Sequence, residues 1–187
     1  IIFCTLFFSF SIYAEKQIKI HGFSIQIPDH YQEQNKNSDL VFTFSDQLEK
    51  ILQSFNSSMK DAVVMYNEEH LQTFSQYNFV PHLLFAPGQG EYFNFTYSIV
   101  ENYCSFLKKD FLVLECGISS IPNIYGNSLK SELYSASTNK LVLQYIFFLN
   151  HNLQILANYV CLYEYCEQDR KDFKKIISSI RKDYSLN

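Results

Sequence analysis

Tryptophan is absent from the 187 residues, glycine occurs 5 times, proline 4 times and methionine twice, and only 18% of the chain is charged. The only glycines close together lie in Pro87-Gly88-Gln89-Gly90. A phosphate cradle needs more of them, with a strand before and a helix after, so this stretch reads as a turn or loop. Positive charge is in deficit as well: 15 Lys and Arg stand against 19 Asp and Glu, for a net charge of -4. Nucleic acid is excluded as a partner, since phosphate binding needs a concentrated basic field. His21, His30, His70, His82 and His151 show no HxH, HExxH or His-x3-His spacing, and no G-x-S-x-G elbow occurs. No metal, cofactor or nucleophile site is therefore assembled locally. Repeats and low-complexity linkers are missing too, and the length suits one domain, residues 15–187.

Long hydrophobic runs are scarce, with one exception. The first fourteen residues, IIFCTLFFSFSIYA, carry no charge and give way abruptly to Glu15-Lys16-Gln17. As a helix they would reach about 21 Å, short of the roughly 30 Å hydrocarbon core. The segment 1–14 is read as the apolar region of a signal peptide, leaving an exported protein, periplasmic or secreted, with no stable membrane span. Without Cys4, four cysteines remain: Cys104, Cys116, Cys161 and Cys166. An even number in an exported chain predicts two disulfides, the alternative being free buried thiols. The expected pairing is Cys104 with Cys116 and Cys161 with Cys166. The first rests on a hairpin turning at Lys109, Asp110 and Phe111, which sets Cys104 opposite Cys116. The second closes a short loop at the start of the last helix.

What the chain has in quantity is apolar and aromatic material: 47% hydrophobic residues, with 18 Phe and 14 Tyr. Residues 18–27 alternate Phe23, Ile25 and Ile27 against polar neighbours and stop at Pro28, the pattern of a half-buried strand. Residues 29–39 read as an exposed loop. A helix is expected over 46–56 from the Asp46/Glu49 spacing and the stripe Leu48, Ile51, Leu52 and Phe55. A strand over 61–66 and a helix capped by Asn67 follow, with Glu68 and Glu69 at its positive end. From Tyr92 onward the segments 92–107, 111–120, 130–136, 140–149 and 153–163 read as strands. Residues 141–149 are apolar on both faces, which predicts a central strand covered on both sides. Finally Phe173, Ile176, Ile177 and Ile180 form a helical stripe, and the charges around them read as its solvated face.

The expected fold class is α+β, a largely antiparallel sheet with helices packed on its faces. The strand Phe23, Ile25, Ile27, Pro28 at one end and Ile176, Ser179, Ile180 at the other, with the meander between, resemble the PsbP-like α/β/α sandwich family. That resemblance implies an accessory or binding protein without a catalytic centre, and it carries over no functional residue. The helix at 46–56 and loop 81–90 have no counterpart in the family pattern. The first expectation is thus a non-enzymatic binding domain, meeting a protein or small apolar ligand at a sheet face, a groove edge or loop 81–90. The alternative is a hydrolase-type enzyme assembled from distant residues, with His70 or His82 as participants. A cleft that brings a histidine and a carboxylate within hydrogen-bond reach would favour the enzyme.

Overall fold

The structure, a computed structural model, describes residues 15–20, 22–33, 61–74 and 79–182. The segment 1–14, the helix expected at 46–56 and most of loop 29–39 lie outside these residues. Where one strand was expected over 18–27 there are two, β1 (Glu15–Ile20) and β2 (Phe23–Pro28). Ile20 pairs with Phe23 in the hairpin, and Gly22 makes the reversal at a φ of 86°, which a side chain would resist. Strand β3 (Tyr31–Glu33) falls inside the expected loop, because Tyr31 is buried and pairs with Asn67 of β4 (Val63–Asn67). Helix α1 (Glu68–Phe74) starts where Asn67 Oδ1 accepts from Glu69 N at 3.0 Å, an Asx cap satisfying a first-turn donor.

The stretch read as loop 81–90 is instead β5 (His82–Gln89), an interior strand of the main sheet. Its proline is tolerated because β4 pairs with β5 only as far as Phe85. Beyond that point, among the described residues, Pro87 has a strand neighbour on the β9 side alone, opposite Ile155. The segment 92–107 is corrected as well: residues 97–107 form helix α2 (Tyr97–Leu107). Thr96 caps it, accepting from Ile99 N, and Val100, Tyr103, Cys104 and Leu107 recur at helical spacing against the sheet. Strand propensity in the tyrosines, valine and isoleucine gives way to that packing.

Four of the remaining elements fall close to expectation, β6 (Leu112–Ser119), β8 (Lys140–Phe148), β9 (Leu153–Leu162) and α3 (Cys166–Ser178), whereas β7 (Tyr125–Ser135) begins five residues before the expected 130–136 and a short β10 (Arg181–Lys182), pairing with β2, takes residues expected at the helix end. Asn139, at a φ of 51°, turns β7 into β8. Asn150 Oδ1 accepts from Asn152 N and Leu153 N in the β8–β9 turn. All pairings are antiparallel, in a seven-stranded sheet ordered β3-β4-β5-β9-β8-β7-β6 and a three-stranded sheet ordered β1-β2-β10. The α+β class is therefore that expected from the sequence.

Both faces of the seven-stranded sheet are covered. On one, Leu83, Phe85, Leu143, Phe147, Ala157 and Tyr159 pack with Phe23, Ile25 and Ile27 of the small sheet and Phe173, Ile176, Ile177 and Ile180 of the last helix region. On the other, Leu84, Ala86, Val142, Ile146, Leu156 and Val160 pack with Val100 and Leu107 of α2, and with Phe95 and Phe111. Burying the four side chains of the C-terminal stripe contributes on the order of 6 to 12 kcal/mol before entropy is counted. No helix among the described residues is long and apolar enough to cross a membrane.

Candidate functional site

The C-terminal stripe extends one turn further back than its isoleucines suggest. Asp169 lies four residues before Phe173 and seven before Ile176, so helical geometry puts it on the buried side of α3. There it is only 3% exposed. This corrects the reading of the α3 charges as a uniformly solvated face. Arg170, by contrast, reaches Glu132 of β7, and Lys171 pairs with Glu167 at 3.2 Å on the outside.

Asp169 lines a cleft of about 620 Å³ bounded by α3, the start of α1, the β1–β2 hairpin and His30. His70 of α1 faces it, with Nε2 3.6 Å from Asp169 Oδ1. Beneath lie the hydroxyls of Tyr159 and Tyr31, the Tyr159 ring packing on Phe173 at 5.9 Å. Burial holds the Asp169 carboxyl above the usual carboxylate range, while His70, a hydrogen bond from Tyr159 and His30 pull it back and Asp172 pushes it up. Burial, followed by the charge of Asp169, likewise raises the Tyr31 phenol. Tyr159 is the hydrogen-bonding neighbour of both Asp169 and Tyr31, though not at the geometry of a fully formed bond partner. Asp169 Oδ2, Tyr31 Oη and Tyr159 Oη each lack such a partner among the described residues. Isolated buried polar atoms are costly, and in native proteins they point to function or to a missing partner.

The two histidines proposed for catalysis are not brought together. His82 is on β5, in phase with Leu84 and Ala86, which face α2. It is 1% exposed, with Nδ1 2.8 Å from Val80 O. Burial pushes its pKa down to about 4; the Val80 carbonyl opposes the shift and Lys140 adds to it. His82 is therefore a neutral core residue. Only His70 reaches the cleft, whose walls also carry Glu15, Glu69, Asp172, Lys175 and Arg181. Among the described residues no three His, Cys, Asp or Glu side chains come together as a metal-holding group.

The four cysteines lie in two close pairs. Cys104 and Cys116 are 5.9 Å apart at Cα, and Cys161 and Cys166 are 5.6 Å apart, both pairs in disulfide contact. The first does not clamp a hairpin, as the expected geometry required. It ties helix α2 to the edge strand β6, because Cys104 belongs to the helix face that meets the sheet. The second joins the end of β9 to the first residue of α3, three positions before Asp169, and so anchors the helix that carries the cleft's floor.

The layered antiparallel α+β architecture around this cleft is of the PsbP-like kind. It is similar to the solution structure of cyanobacterial PsbP (CyanoP) from Synechocystis sp. PCC 6803, with a TM-score of 0.52, 8% identity, and 93% of this chain and 95% of that one covered. A crystal structure from Bacteroides thetaiotaomicron matches with a TM-score of 0.42 and 10% identity, covering 89% of this chain and 47% of that one. No protein-family model and no curated protein matches the sequence. At such identity the likeness is one of fold.

Proposed function

We propose that the chain is an exported, non-catalytic binding domain that engages a polar ligand or partner at the cleft over Asp169. The observation that carries this reading is a concave, largely polar surface of about 620 Å³ lined by the His70–Asp169 pair, a size typical of ligand sites. The sheet faces are covered and segment 82–89 is an interior strand, which leaves the groove edge of the three surfaces first considered. The polar lining favours a polar ligand over an apolar one. The apolar start, the four cysteines that remain beyond Cys4 and their two close pairs support export. The PsbP-like fold supports an accessory role by analogy, since a fold does not fix a function.

Photo-crosslinking from Gln168, at the cleft, and from Leu112, on the far edge strand, tests the reading in the native extracytoplasmic fraction. A discrete adduct from Gln168 alone is expected, on a chain whose N-terminus starts within a few residues of Glu15. Adducts from Leu112 only, or recovery of the chain solely from the cytoplasm with Ile1 intact, would refute it. One observation favours the hydrolase reading instead: the His70–Asp169 pair at 3.6 Å in an open cleft, where catalytic contacts often tighten only once substrate binds. Turnover of ester, phosphate or glycoside substrates that disappears in His70→Gln would put it ahead.

A further inference from the structure

We infer that a second cavity, on the other flank of α3, binds a carboxylate group through Lys174 and the hydroxyl of Tyr145. The cavity measures about 380 Å³ and shares only Ser178 with the lining of the cleft over Asp169, so the inference stands independently of that cleft. Strand register builds it. Gly117 of β6 lies opposite Lys130 of β7, which lies opposite Tyr145 of β8, and residues paired across strands share a face of the sheet. That face is the α3 side, where the Tyr145 ring meets Phe173 at 5.8 Å. Gly117 ends the row without a side chain, and a Cβ placed there would meet nothing within 4 Å. The missing side chain keeps the sheet end of the cavity open.

Two groups in the cavity await a ligand. Tyr145 is only 9% exposed, yet its hydroxyl is not enclosed and makes no hydrogen bond among the described residues. Burial, then the charges of Glu115 and Glu132, push its phenol up, so it stays protonated and offers a donor. The Lys174 ammonium likewise has no ion-pair or hydrogen-bond partner among the described residues. The other charges nearby are matched, Lys130 with Glu115 and Arg170 with Glu132. The lining thus carries one uncompensated positive charge beside a neutral donor. A cation does not suit it, and a phosphate dianion would set a second negative charge against Glu115 on the wall. A carboxylate matches both the single charge and the paired donors. It comes either from a free organic acid or from the C-terminus of a peptide laid along β6, the sheet's edge strand among the described residues; the recognition chemistry is the same.

Calorimetric titration of the full, oxidised chain tests this. N-acetyl-alanine should bind about tenfold more tightly than its amide or inorganic phosphate, the factor that one charge-assisted contact supplies. Lys174→Gln should lose about that factor and Lys174→Arg keep most of the affinity. Tyr145→Phe should weaken binding a few-fold, and Gly117→Val, which fills the gap with a strand-favouring side chain, should abolish it. Melting curves check that the variants fold; if Gly117→Val does not, the two exposed Lys174 variants carry the comparison. Tighter binding of an acetylated peptide with a free C-terminus than of N-acetyl-alanine assigns a protein terminus, and no gain with length assigns a free acid. No binding at millimolar probe, equal affinity for acid and amide, tighter binding of phosphate, or unchanged affinity in folded Lys174→Gln overturns the inference.

Discussion

The two faces of the seven-stranded sheet differ in how completely they pair their buried polar groups. Under α2, Ser131, Gln144 and Asn158 sit side by side on β7, β8 and β9. Gln144 Oε1 accepts from Tyr103 at 2.5 Å and from Ser131 at 3.1 Å, while its Nε2 donates to Asn158 Oδ1 at 3.0 Å. Under α3, Tyr159 links Tyr31 and Asp169 only loosely, and Tyr31 Oη, Tyr159 Oη and Asp169 Oδ2 are left without a fully formed hydrogen bond. The first set is sealed beneath a helix and closes on itself except at Asn158 Nδ2, as a core network largely must. The second borders the cleft. A polar cluster that is internally paired reads as architecture, whereas one left open beside a concave surface reads as a place for something else to bind.

The largest effect expected concerns the helix that closes the α3 face. Ile177→Asp places a carboxylate in the buried stripe and should cost about 3 kcal/mol or more, or prevent folding, whereas Lys174→Asp on the outer side should stay within about 0.5 kcal/mol. Thermal melts decide, and equal melting temperatures would show that the stripe does not hold that face.

Next is acid stability on the α2 face. His82 has a pKa of about 4 in the fold against about 6.5 unfolded, so the unfolded chain takes up the proton first as pH falls. Its contribution is complete above pH 6.5 and is lost progressively as pH falls toward 4, about 3 kcal/mol in all. Asp169, whose pKa is raised by burial, works in the other sense. The folded state keeps its proton longer, so this destabilising contribution is absent in acid and grows as pH rises through the carboxylate range. Urea titrations at neutral and mildly acidic pH should show His82→Phe with a flatter pH dependence than the parent. An unchanged slope would mean that His82 is not held neutral.

The smallest expected effects test the comparison itself. Gln144→Leu strands Tyr103, Ser131 and Asn158 and should cost about 2 kcal/mol. Asp169→Asn removes a charge that burial opposes but also its pairing with His70 and Tyr159, so the melting temperature at neutral pH should change less than in Gln144→Leu. Destabilisation by Asp169→Asn matching that of Gln144→Leu would make the two faces alike, and Asp169 an ordinary core group.

Local pattern was sufficient for several features, because periodicity and chain ends are properties of neighbouring residues. The stripe Phe173, Ile176, Ile177 and Ile180, the doubly buried strand over 141–149 and the antiparallel α+β class were all legible in this way. So was the cap at Asn67. The helix at 97–107 was legible as well, in the spacing of Val100, Tyr103, Cys104 and Leu107, but it was masked by strand-forming residue types. Pro87 and Gly88 concealed a strand for a different reason: only the sheet shows that β4 has already run out where the proline lies. Cysteine spacing suggested pairs, yet a helix-to-strand contact places Cys104 against Cys116, since one face of α2 points each of its side chains toward the sheet. The cleft belongs entirely to tertiary structure. His70, Asp169 and the β1–β2 hairpin come from distant parts of the chain, and no local spacing relates them. What the sequence did carry was a carboxylate in phase with an apolar stripe. Helical geometry commits Asp169 to the inside, and only the packing of α1 and the hairpin around it decides that this inside opens onto a cleft.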